Sequence, residues 1–277
     1  MSLRIATNVQ SLAAQRTLAG NKMRQNNSLE RLSSGQRINR AGDDAAGLAI
    51  SEKMKAQIRS LKQAERNSND GISMIQVAEG SLNEISNILI RLRELSIQSA
   101  SDTVGQLERS FVDKEVQHLK KELQRIAEVT EFNGTKLLNG TAPILDIHVG
   151  TNNDDFQDRL QYDSETQATT LETLEIGDVN VLNKEAAQQN LAKLDTAINT
   201  VNRNRSDLGA LQNRLNSTIN NLMIYTENLS AAKSRIRDTD MAAETSELVK
   251  SNILTQANIA VLGQANSNSQ AALQLLS

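Results

Sequence analysis

Cysteine and tryptophan are absent from this chain of 277 residues, and proline occurs once, at Pro143. Without cysteine there can be no disulfides, no thiol catalysis and no cysteine-bound zinc. The aromatic residues are three phenylalanines and two tyrosines, which is few for a compact α/β enzyme, because aromatic side chains supply much of a globular core. Leucine, isoleucine, valine and alanine must therefore build the core, and these residues suit slender helical bundles.

Motifs of catalysis and ligand binding are also missing. The only histidines are His118 and His148, and there is no His-Glu-x-x-His pair, glycine-rich phosphate loop or nucleophile elbow. The acidic residues between positions 146 and 178 lack the spaced order of a calcium loop, so we expect them to form a solvated face. We therefore predict that the chain is not an enzyme and has no catalytic, cofactor-binding or metal-binding residues.

Charge is unevenly distributed along the chain. Residues 1–40 carry seven basic side chains and one acidic one, residues 146–178 carry nine acidic and one basic, and residues 251–277 carry none. An uncharged end is unlike a solvated tail, and its many Asn, Gln and Ser residues exclude a membrane span. This end is therefore predicted to be buried in an assembly. The N-terminus has no continuous apolar run, so no cleaved secretory signal is expected, although its basic character resembles an organelle transit peptide.

Seven-residue apolar repeats predict long helices. A repeat without a proline break indicates a coiled-coil-type helix of more than forty residues near the C-terminus. A similar repeat predicts a second long helix, for which Asp43 or Asp44 is the expected N-cap, and a third helix should start beyond the polar break at residues 99–105. The residues predicted for the helical core are Leu61, Ile75, Leu82, Leu89, Leu194, Val201, Leu208, Leu215, Leu222 and Leu229.

The second long helix contains a local conflict at Asn69-Asp70-Gly71. Turn chemistry would break a helix at this point, but the heptad pattern continues through it from Leu61 to Ile75. We predict a continuous helix in which Gly71 allows a neighbour to pack closely, with a local kink as the alternative.

Residues 130–183 differ in sequence pattern from the predicted helices around them. Asn133-Gly134 and Asn139-Gly140 mark turns, and residues 145–149 alternate between apolar and polar side chains as a strand does. Residues 174–181 are predicted to form a second extended segment. The expected fold is mainly α, with long coiled-coil-like antiparallel helices forming a rod and a small β-hairpin region.

Both chain ends are amphipathic and could be buried together among copies of the chain. The predicted segments are an N-terminal helix and spoke at 1–44, two rod helices at 45–129, the β region at 130–183, the long rod helix at 184–235 and the returning C-terminal helix at 236–277. Gly35 is the expected stop of the first helix, and a plain intramolecular helix pair is the alternative use of the ends. The residues predicted to carry polymerisation are Ile5, Val9, Leu12, Leu29, Leu32, Leu254, Val261, Leu262, Leu273, Leu275 and Leu276.

Several motifs carry a resemblance to one family. LSSGQRINRAGDDAAGLAIS at 32–51, QAERNSNDGIS at 63–73 and EFNGTKLL at 131–138 lie in the first half of the chain. LGALQNR at 208–214, SRIRDTD at 234–240 and the terminal residues 264–276 lie in the second. This ordered set resembles bacterial flagellins over nearly the whole chain, in a short form without the variable outer domains.

The resemblance implies a structural subunit of the flagellar filament, which assembles through its terminal helices into a helical tube used for motility. Its implied partners are other copies of itself, an export chaperone on the C-terminal helix, and filament cap and junction proteins. It implies export by type III secretion without signal cleavage and an extracellular location; no cofactor, nucleic acid or membrane insertion is expected. Because the last 27 residues lack charge, we also predict that the C-terminal helix lies closer to the filament axis than the N-terminal one.

Residues 90–97 have two interpretations. In the first, Leu92 and Leu95 face the rod core and the nearby charges are solvated. In the second, the resemblance implies that Arg91, Leu95 and Glu122 contact the vertebrate flagellin-sensing Toll-like receptor or neighbouring subunits. Other functions considered for the whole chain are a flagellin-like junction protein of the hook–filament boundary, a secreted hydrolase with a coiled-coil stalk and a non-polymeric helical adhesin.

Overall fold

The computed structural model describes residues 7–274, with side chains as far as residue 267. This part of the chain is mainly helical, and two short antiparallel strand pairs lie between the third and fourth helices. The fold therefore confirms the predicted class. The elements are α1 (Val9–Ser34), α2 (Ala45–Ala100), α3 (Gln106–Val129), β1 (Glu131–Phe132), β2 (Thr135–Lys136), β3 (Leu145–His148), β4 (Arg159–Tyr162), α4 (Lys184–Arg237) and α5 (Met241–Gln274).

The chain divides into two compact units. The terminal unit comprises residues 1–56 and 228–277, and the central unit comprises residues 57–227. Both limits of the central unit lie inside helices, because α2 and α4 continue without a break from one unit into the other.

Three helices form the bundle of the central unit, in which α3 and α4 both run antiparallel to α2. The Nε atom of Arg93 on α2 lies 2.7 Å from Asp195 on α4, and the Nε atom of Arg109 on α3 donates to the carbonyl of Ser99 at 3.0 Å. Aliphatic side chains of the seven-residue repeats fill the space between the helices, as coiled-coil packing requires. Nine of the predicted core residues are buried: Leu61, Ile75, Leu82, Leu89, Leu194, Val201, Leu208, Leu215 and Leu222.

Leu229 corrects the predicted core. It continues the repeat of α4, but it belongs to the terminal unit and is only half-buried. A seven-residue repeat determines which face of a helix is apolar, whereas coverage of that face depends on which other elements reach it.

Gly71 lies inside the unbroken helix α2, which confirms the predicted continuity. A Cβ atom at this position would lie 2.8 Å from Cδ1 and 3.1 Å from Cγ2 of Ile147 on β3. Strand β3 therefore packs against the backbone of α2 at a distance that only glycine permits. The predicted close approach is confirmed, and it outweighs the turn preference of Asn-Asp-Gly.

We expect Gly71→Val to destabilise the central unit by about 1–3 kcal/mol, because the branched side chain would overlap Ile147. Gly80→Val is the matched control, since Gly80 is exposed on the same helix and a Cβ there would meet nothing within 4 Å. Urea unfolding of the unassembled chain measures both. Equal midpoints for the two variants would contradict the close approach.

The β region contains two hairpins. In the first, Asn133 and Gly134 join β1 and β2 with φ angles of 50° and 78°, as a type I′ turn requires. In the second, β3 pairs with β4 so that Ile147 lies opposite Leu160. The predicted strand at 145–149 is confirmed for Leu145–His148.

The prediction of an extended segment at 174–181 is wrong, because residues 174, 175, 177 and 178 lie in turns and none of the segment lies in a strand. Its apolar side chains are buried, but its backbone groups pair with nearby backbone carbonyls and with side chains of α3 rather than with a strand. Lys120 Nζ donates to the carbonyls of Gly177 at 2.6 Å and Val179 at 2.9 Å, and the amide of Val181 donates to Asp113 at 3.0 Å. Burial lowers the pKa of Lys120, while Asp113 opposes that shift. In this segment the alternation of apolar and polar side chains indicates burial of the apolar ones, although the segment forms no sheet.

Candidate assembly surface

Helices α1 and α5 pack antiparallel in the terminal unit. Asn8 Nδ2 donates to the carbonyl of Ala265 at 2.9 Å, and Gln25 Nε2 donates to Asn252 Oδ1 at 2.6 Å. Asn8 also accepts from the amide of Ser11, which caps the start of α1. Gly35 ends the helix in the left-handed conformation at φ 68°, so the predicted stop is confirmed.

The segments that follow α1 and precede α5 are joined by backbone hydrogen bonds. The amide of Arg37 donates to the carbonyl of Arg237 at 2.7 Å, and the amide of Thr239 donates to the carbonyl of Gly35 at 3.0 Å. The guanidinium of Arg237 also contacts Glu52, and this hydrogen bond lowers the pKa of that carboxyl. The segment after α1 and the segment before α5 therefore lie side by side within the terminal unit.

Asp44, one of the two predicted caps, opens α2 by accepting from the amide of Gly47 at 2.8 Å. Asp43 has a different role. It accepts from the amides of Arg40 and Asn39 in the preceding turn, and these hydrogen bonds lower its pKa.

Small and polar side chains form the contact between α1 and α5. Three of the buried positions of α1 recur every seven residues, as in a helix seam, and the fourth lies three residues before the first of them. They contain no large aliphatic residue, and the buried positions of α5 among the described side chains are likewise small. These buried residues are Ser11, Ala14, Asn21 and Ser28 on α1 and Ser251 and Ala265 on α5.

Large aliphatic side chains lie on the outside of this helix pair. Among the predicted polymerisation residues, Val9, Leu12, Leu29, Leu254 and Val261 are between 39% and 65% exposed, and Leu32 and Leu262 are half-buried. Ile5, Leu275 and Leu276 lie outside the described residues; Leu273 lies in α5, but its side chain does not belong to the described part. Further exposed aliphatic residues, which the sequence analysis did not select, are Met23, Val249, Ile253 and Ile259.

In an ordinary amphipathic pair the large aliphatic residues pack inward. Here many of them lie outside, while Leu18, Leu32, Leu248 and Leu262 are half-buried. Each exposed Leu, Ile or Val would contribute roughly 1.5–3 kcal/mol if another surface covered it completely. Exposed large aliphatic side chains in such number indicate an interaction site. The outer face of α1 and α5, defined by the exposed aliphatic residues above, is the candidate assembly surface.

Arg91, Leu95 and Glu122, which the resemblance places in a receptor or subunit contact, lie in the central unit. Arg91 is exposed and pairs with Glu94 at 3.1 Å and with Glu115 at 2.9 Å, and the hydrogen bonds that it donates to Glu115 and Glu94 raise its pKa. Glu122 is paired with Arg125 on the surface of α3. Leu95 is only 2% exposed, so it faces the bundle core and offers no surface to a receptor.

Asp158 corrects the expectation that the acidic stretch is wholly solvated. Its buried carboxylate accepts from the amides of Asp154 at 3.0 Å and Asn152 at 3.3 Å. These hydrogen bonds lower its pKa, so its contribution to stability is present above the ordinary aspartate pKa and is lost as the pH falls below it. A Cβ atom at Gly150 would overlap this carboxylate, so the loop needs glycine there.

No cluster of three or more metal-ligating side chains occurs among the described residues. None of the described helices is both long and apolar enough to cross a membrane.

Comparison with known families identifies the chain. The family model for the bacterial flagellin N-terminal helical region matches residues 5–142, and that for the bacterial flagellin C-terminal helical region matches residues 191–276. The chain belongs to the bacterial flagellin family. The first match covers α1, α2 and α3, and the second covers α5 and most of α4, so the family's two helical regions include both helices of the candidate assembly surface.

Individual flagellins match along nearly their full length. A flagellin of Halalkalibacterium halodurans is 47% identical over 271 residues, covering 97% of this chain and 98% of its own. A flagellin of Bacillus subtilis is 43% identical over 305 residues, covering 99% and 100%. A flagellar filament 33 kDa core protein of Treponema phagedenis is 44% identical over 283 residues, covering 97% and 98%.

Two solved structures resemble the fold. The crystal structure of Bacillus cereus flagellin aligns with a TM-score of 0.50 and 33% identity, covering 57% of this chain and 88% of that one. A putative flagellar hook-associated protein of Vibrio parahaemolyticus aligns with a TM-score of 0.60 at 15% identity, covering 71% and 100%. At that identity, the second match supports the fold alone.

Proposed function

We propose that this chain is a structural subunit of the bacterial flagellar filament, which copies of the chain build by helical self-assembly. The observation that carries the proposal is the outward placement of large aliphatic side chains on α1 and α5, which pack on each other through small and polar residues. Membership of the flagellin family and the similarity to a filament core protein support it. The family is structural, and the proposal assigns the chain no catalytic activity.

A filament requires contacts that do not close on themselves. A two-fold contact would stop at a dimer, whereas contact between two different surfaces of successive copies continues without limit. The exposed aliphatic residues occupy both α1 and α5, so one copy can present one helix to a neighbour and the other helix to a second neighbour. We infer that burial of this surface drives assembly.

Sedimentation and negative-stain electron microscopy of the purified chain test the proposal. We expect most of the protein to pellet as long uniform fibres above a critical concentration, with the same preparation diluted below that concentration as the control. A non-polymeric adhesin would stay in the supernatant at both concentrations. A junction protein would form at most short assemblies, so either result would contradict the proposal.

The proposed filament has an inner order and specific partners. We propose that α5, which carries no charge after Lys250, lies nearer the filament axis than α1; a filament map with the reverse order would contradict this.

We further propose that an export chaperone covers α5 before type III secretion without signal cleavage, and that cap and junction proteins contact the assembled ends outside the cell. A chaperone that binds equally well without α5 would exclude that contact.

We propose fewer residues for recognition by a host receptor than the sequence analysis did. Arg91 and Glu122 remain candidates because both are exposed on the central unit, whereas Leu95 is buried. Receptor-reporter cells treated with unassembled Arg91→Ala protein test it. Signalling equal to that of the unaltered chain would remove Arg91 from the contact.

A further inference from the structure

The side chain of Arg237 joins three segments of the terminal unit. Arg237 is the last residue of α4, and its Nε donates to Gln36 Oε1 at 2.8 Å, in the segment that follows α1. Its Nη1 pairs with the carboxylate of Glu52 on α2. Because the Arg237 side chain is only 13% exposed, it is held between these two partners and largely out of water. Arg237, Gln36 and Glu52 together are called the Arg237 clasp below.

The two backbone segments beside the clasp form a single antiparallel bridge. Gln36 lies opposite Asp238, and one amide on each side of this pair donates to a carbonyl of the opposite segment. A two-stranded pairing is marginally stable at best in water, even when it is longer than this one. Side chains around the bridge must therefore hold the two segments together.

Ile38 anchors the segment after α1 on the start of α2. It is 1% exposed, and a Cβ atom at Gly47 would lie 2.8 Å from its Cδ1. The segment before α5 differs, because Asp238 and Asp240 are exposed and Thr239 is half-buried. It has no buried apolar anchor of its own, so the bridge and the clasp tie it to the anchored segment and to α2.

The contact between α1 and α5 does little to fix the two helices in register. Its buried side chains are small or polar, and the leucines beside them are only half-buried. Small side chains form shallow ridges, which oppose sliding of one helix along another weakly. A slip of one turn would move every residue of α5 by about 5.4 Å along α1. The ion pair of Arg31 with Glu244, at 3.6 Å, lies at the end of the helix pair nearest the clasp.

The register of this helix pair determines the shape of the candidate assembly surface. The exposed aliphatic residues belong to both helices, as Leu12 and Leu29 do on α1 and Leu254 and Val261 do on α5. They form one surface of fixed shape only if the two helices run at a fixed offset. The bridge and the clasp lie between the end of α1 at Ser34 and the start of α5 at residue 241, so they set that offset.

We infer that Arg237 is a positioning residue for assembly, which fixes the offset of α5 along α1 and so shapes the candidate assembly surface. Arg237 acts through Gln36 and Glu52 of its own chain and needs no contact with a neighbouring copy. The inference rests on the proposed function. It makes polymerisation depend on a residue outside the predicted polymerisation set.

Removal of the guanidinium tests this role. We expect Arg237→Ala to raise the critical concentration for polymerisation by about tenfold or more, because each association step must then also order the helix pair. Arg235→Ala is the matched control, since Arg235 is exposed on the last turn of the same helix and forms no ion pair within the described part of the chain. The central unit should unfold at the same temperature in both variants, because its core lies elsewhere.

The outcomes of this experiment separate the inference from the proposed function. If the unaltered chain polymerises and Arg237→Ala does so at the same concentration, the inference is overturned and the proposed function stands. If the unaltered chain forms no filaments, the proposed function falls as well.

A double-mutant cycle tests whether the clasp acts as a unit. Glu52→Ala should raise the critical concentration in the unaltered chain and change it little in the Arg237→Ala variant, because residues that share one interaction have non-additive effects. Equal effects of Glu52→Ala in the two backgrounds would show that Glu52 acts independently of Arg237, which would count against the clasp.

A covalent bond in place of the clasp distinguishes positioning from direct contact with a neighbouring copy. Gln36 and Asp238 face each other without hydrogen bonds between them, and the Cα atoms of such antiparallel pairs lie about 4.5 Å apart. This distance suits a disulfide, and the chain has no cysteine of its own to interfere.

We expect Gln36→Cys and Asp238→Cys, added to Arg237→Ala, to restore assembly near the original critical concentration after mild oxidation of the dilute chain. Reduction should abolish the recovery, and serine in place of both cysteines should give none under either condition. If Arg237 instead contacts a neighbouring copy, the oxidised variant will assemble no better than the reduced one. That result, with the disulfide verified by mass spectrometry, would overturn the inference.

Discussion

Removal of residues 241–277 should leave a soluble chain that forms no filaments at any concentration at which the full chain assembles. The deletion removes α5 and with it the exposed aliphatic residues Leu254 and Val261. At roughly 1.5–3 kcal/mol for each fully buried side chain, loss of this surface removes several kcal/mol from every copy added to a filament. The effect accumulates because each subunit makes the contact more than once in a helical assembly.

Solubility of the truncated chain follows from the composition of the contact it uncovers. Deleting α5 exposes the inner face of α1, whose buried residues are Ser11, Ala14, Asn21 and Ser28. These side chains are small or polar, so the deletion creates no large apolar patch. The core of the central unit lies between residues 74 and 215 and loses none of its members.

Sedimentation and electron microscopy measure loss of assembly, and thermal unfolding followed by circular dichroism supplies the control. The central unit should unfold at the same temperature with and without α5, which would show that lost assembly is not lost folding. Fibres from the truncated chain would contradict the role of α5. The same variant tests the chaperone contact, because a chaperone bound to α5 should no longer bind.

The helices could be predicted from the sequence because their signal is local. The seven-residue repeat predicted α4 at residues 184–235, and the helix spans Lys184–Arg237. The strand at 145–148 was also predicted from its own alternation. Residues 174–181 show the same alternation but form no strand. The amides of Leu174, Ile176 and Val179 donate to nearby backbone carbonyls, and Gly177 and Val181 pair with Lys120 and Asp113 on α3. Partners that lie more than fifty residues away in the chain leave no mark on local periodicity.

The candidate assembly surface was predicted only in part, for a related reason. Apolar periodicity selected Leu12 and Leu254, which are exposed on α1 and α5. The face that joins the two helices was not selected, because its spacing is carried by residues such as Ser11 and Ser28 rather than by large aliphatic ones. A search for small side chains at seven-residue spacing would have found it on α1. Ile253 was not selected because it lies outside the predicted stripe of the C-terminal helix.

Leu208→Ala should cost about 2–5 kcal/mol of stability in the unassembled chain, as is typical of large-to-small changes in a core. Leu208 is 1% exposed, and it packs in the bundle of the central unit, which close-packs around it and cannot collapse fully into the space left behind. Leu229→Ala is the matched comparison. It changes the same residue type on the same helix, three repeats further along, where the side chain is half-buried.

Leu208 and Leu229 occupy equivalent positions of the seven-residue repeat but differ in burial. Urea unfolding of both variants therefore tests whether the repeat or the burial determines the cost of each substitution. We expect Leu229→Ala to cost about 1 kcal/mol or less, because its neighbours already leave part of the side chain in water. Equal costs would mean that the repeat itself sets the core and that Leu229 belongs to it. The filament supplies a further distinction: if other copies cover Leu229 on assembly, its replacement should raise the critical concentration more than it lowers the stability of the single chain.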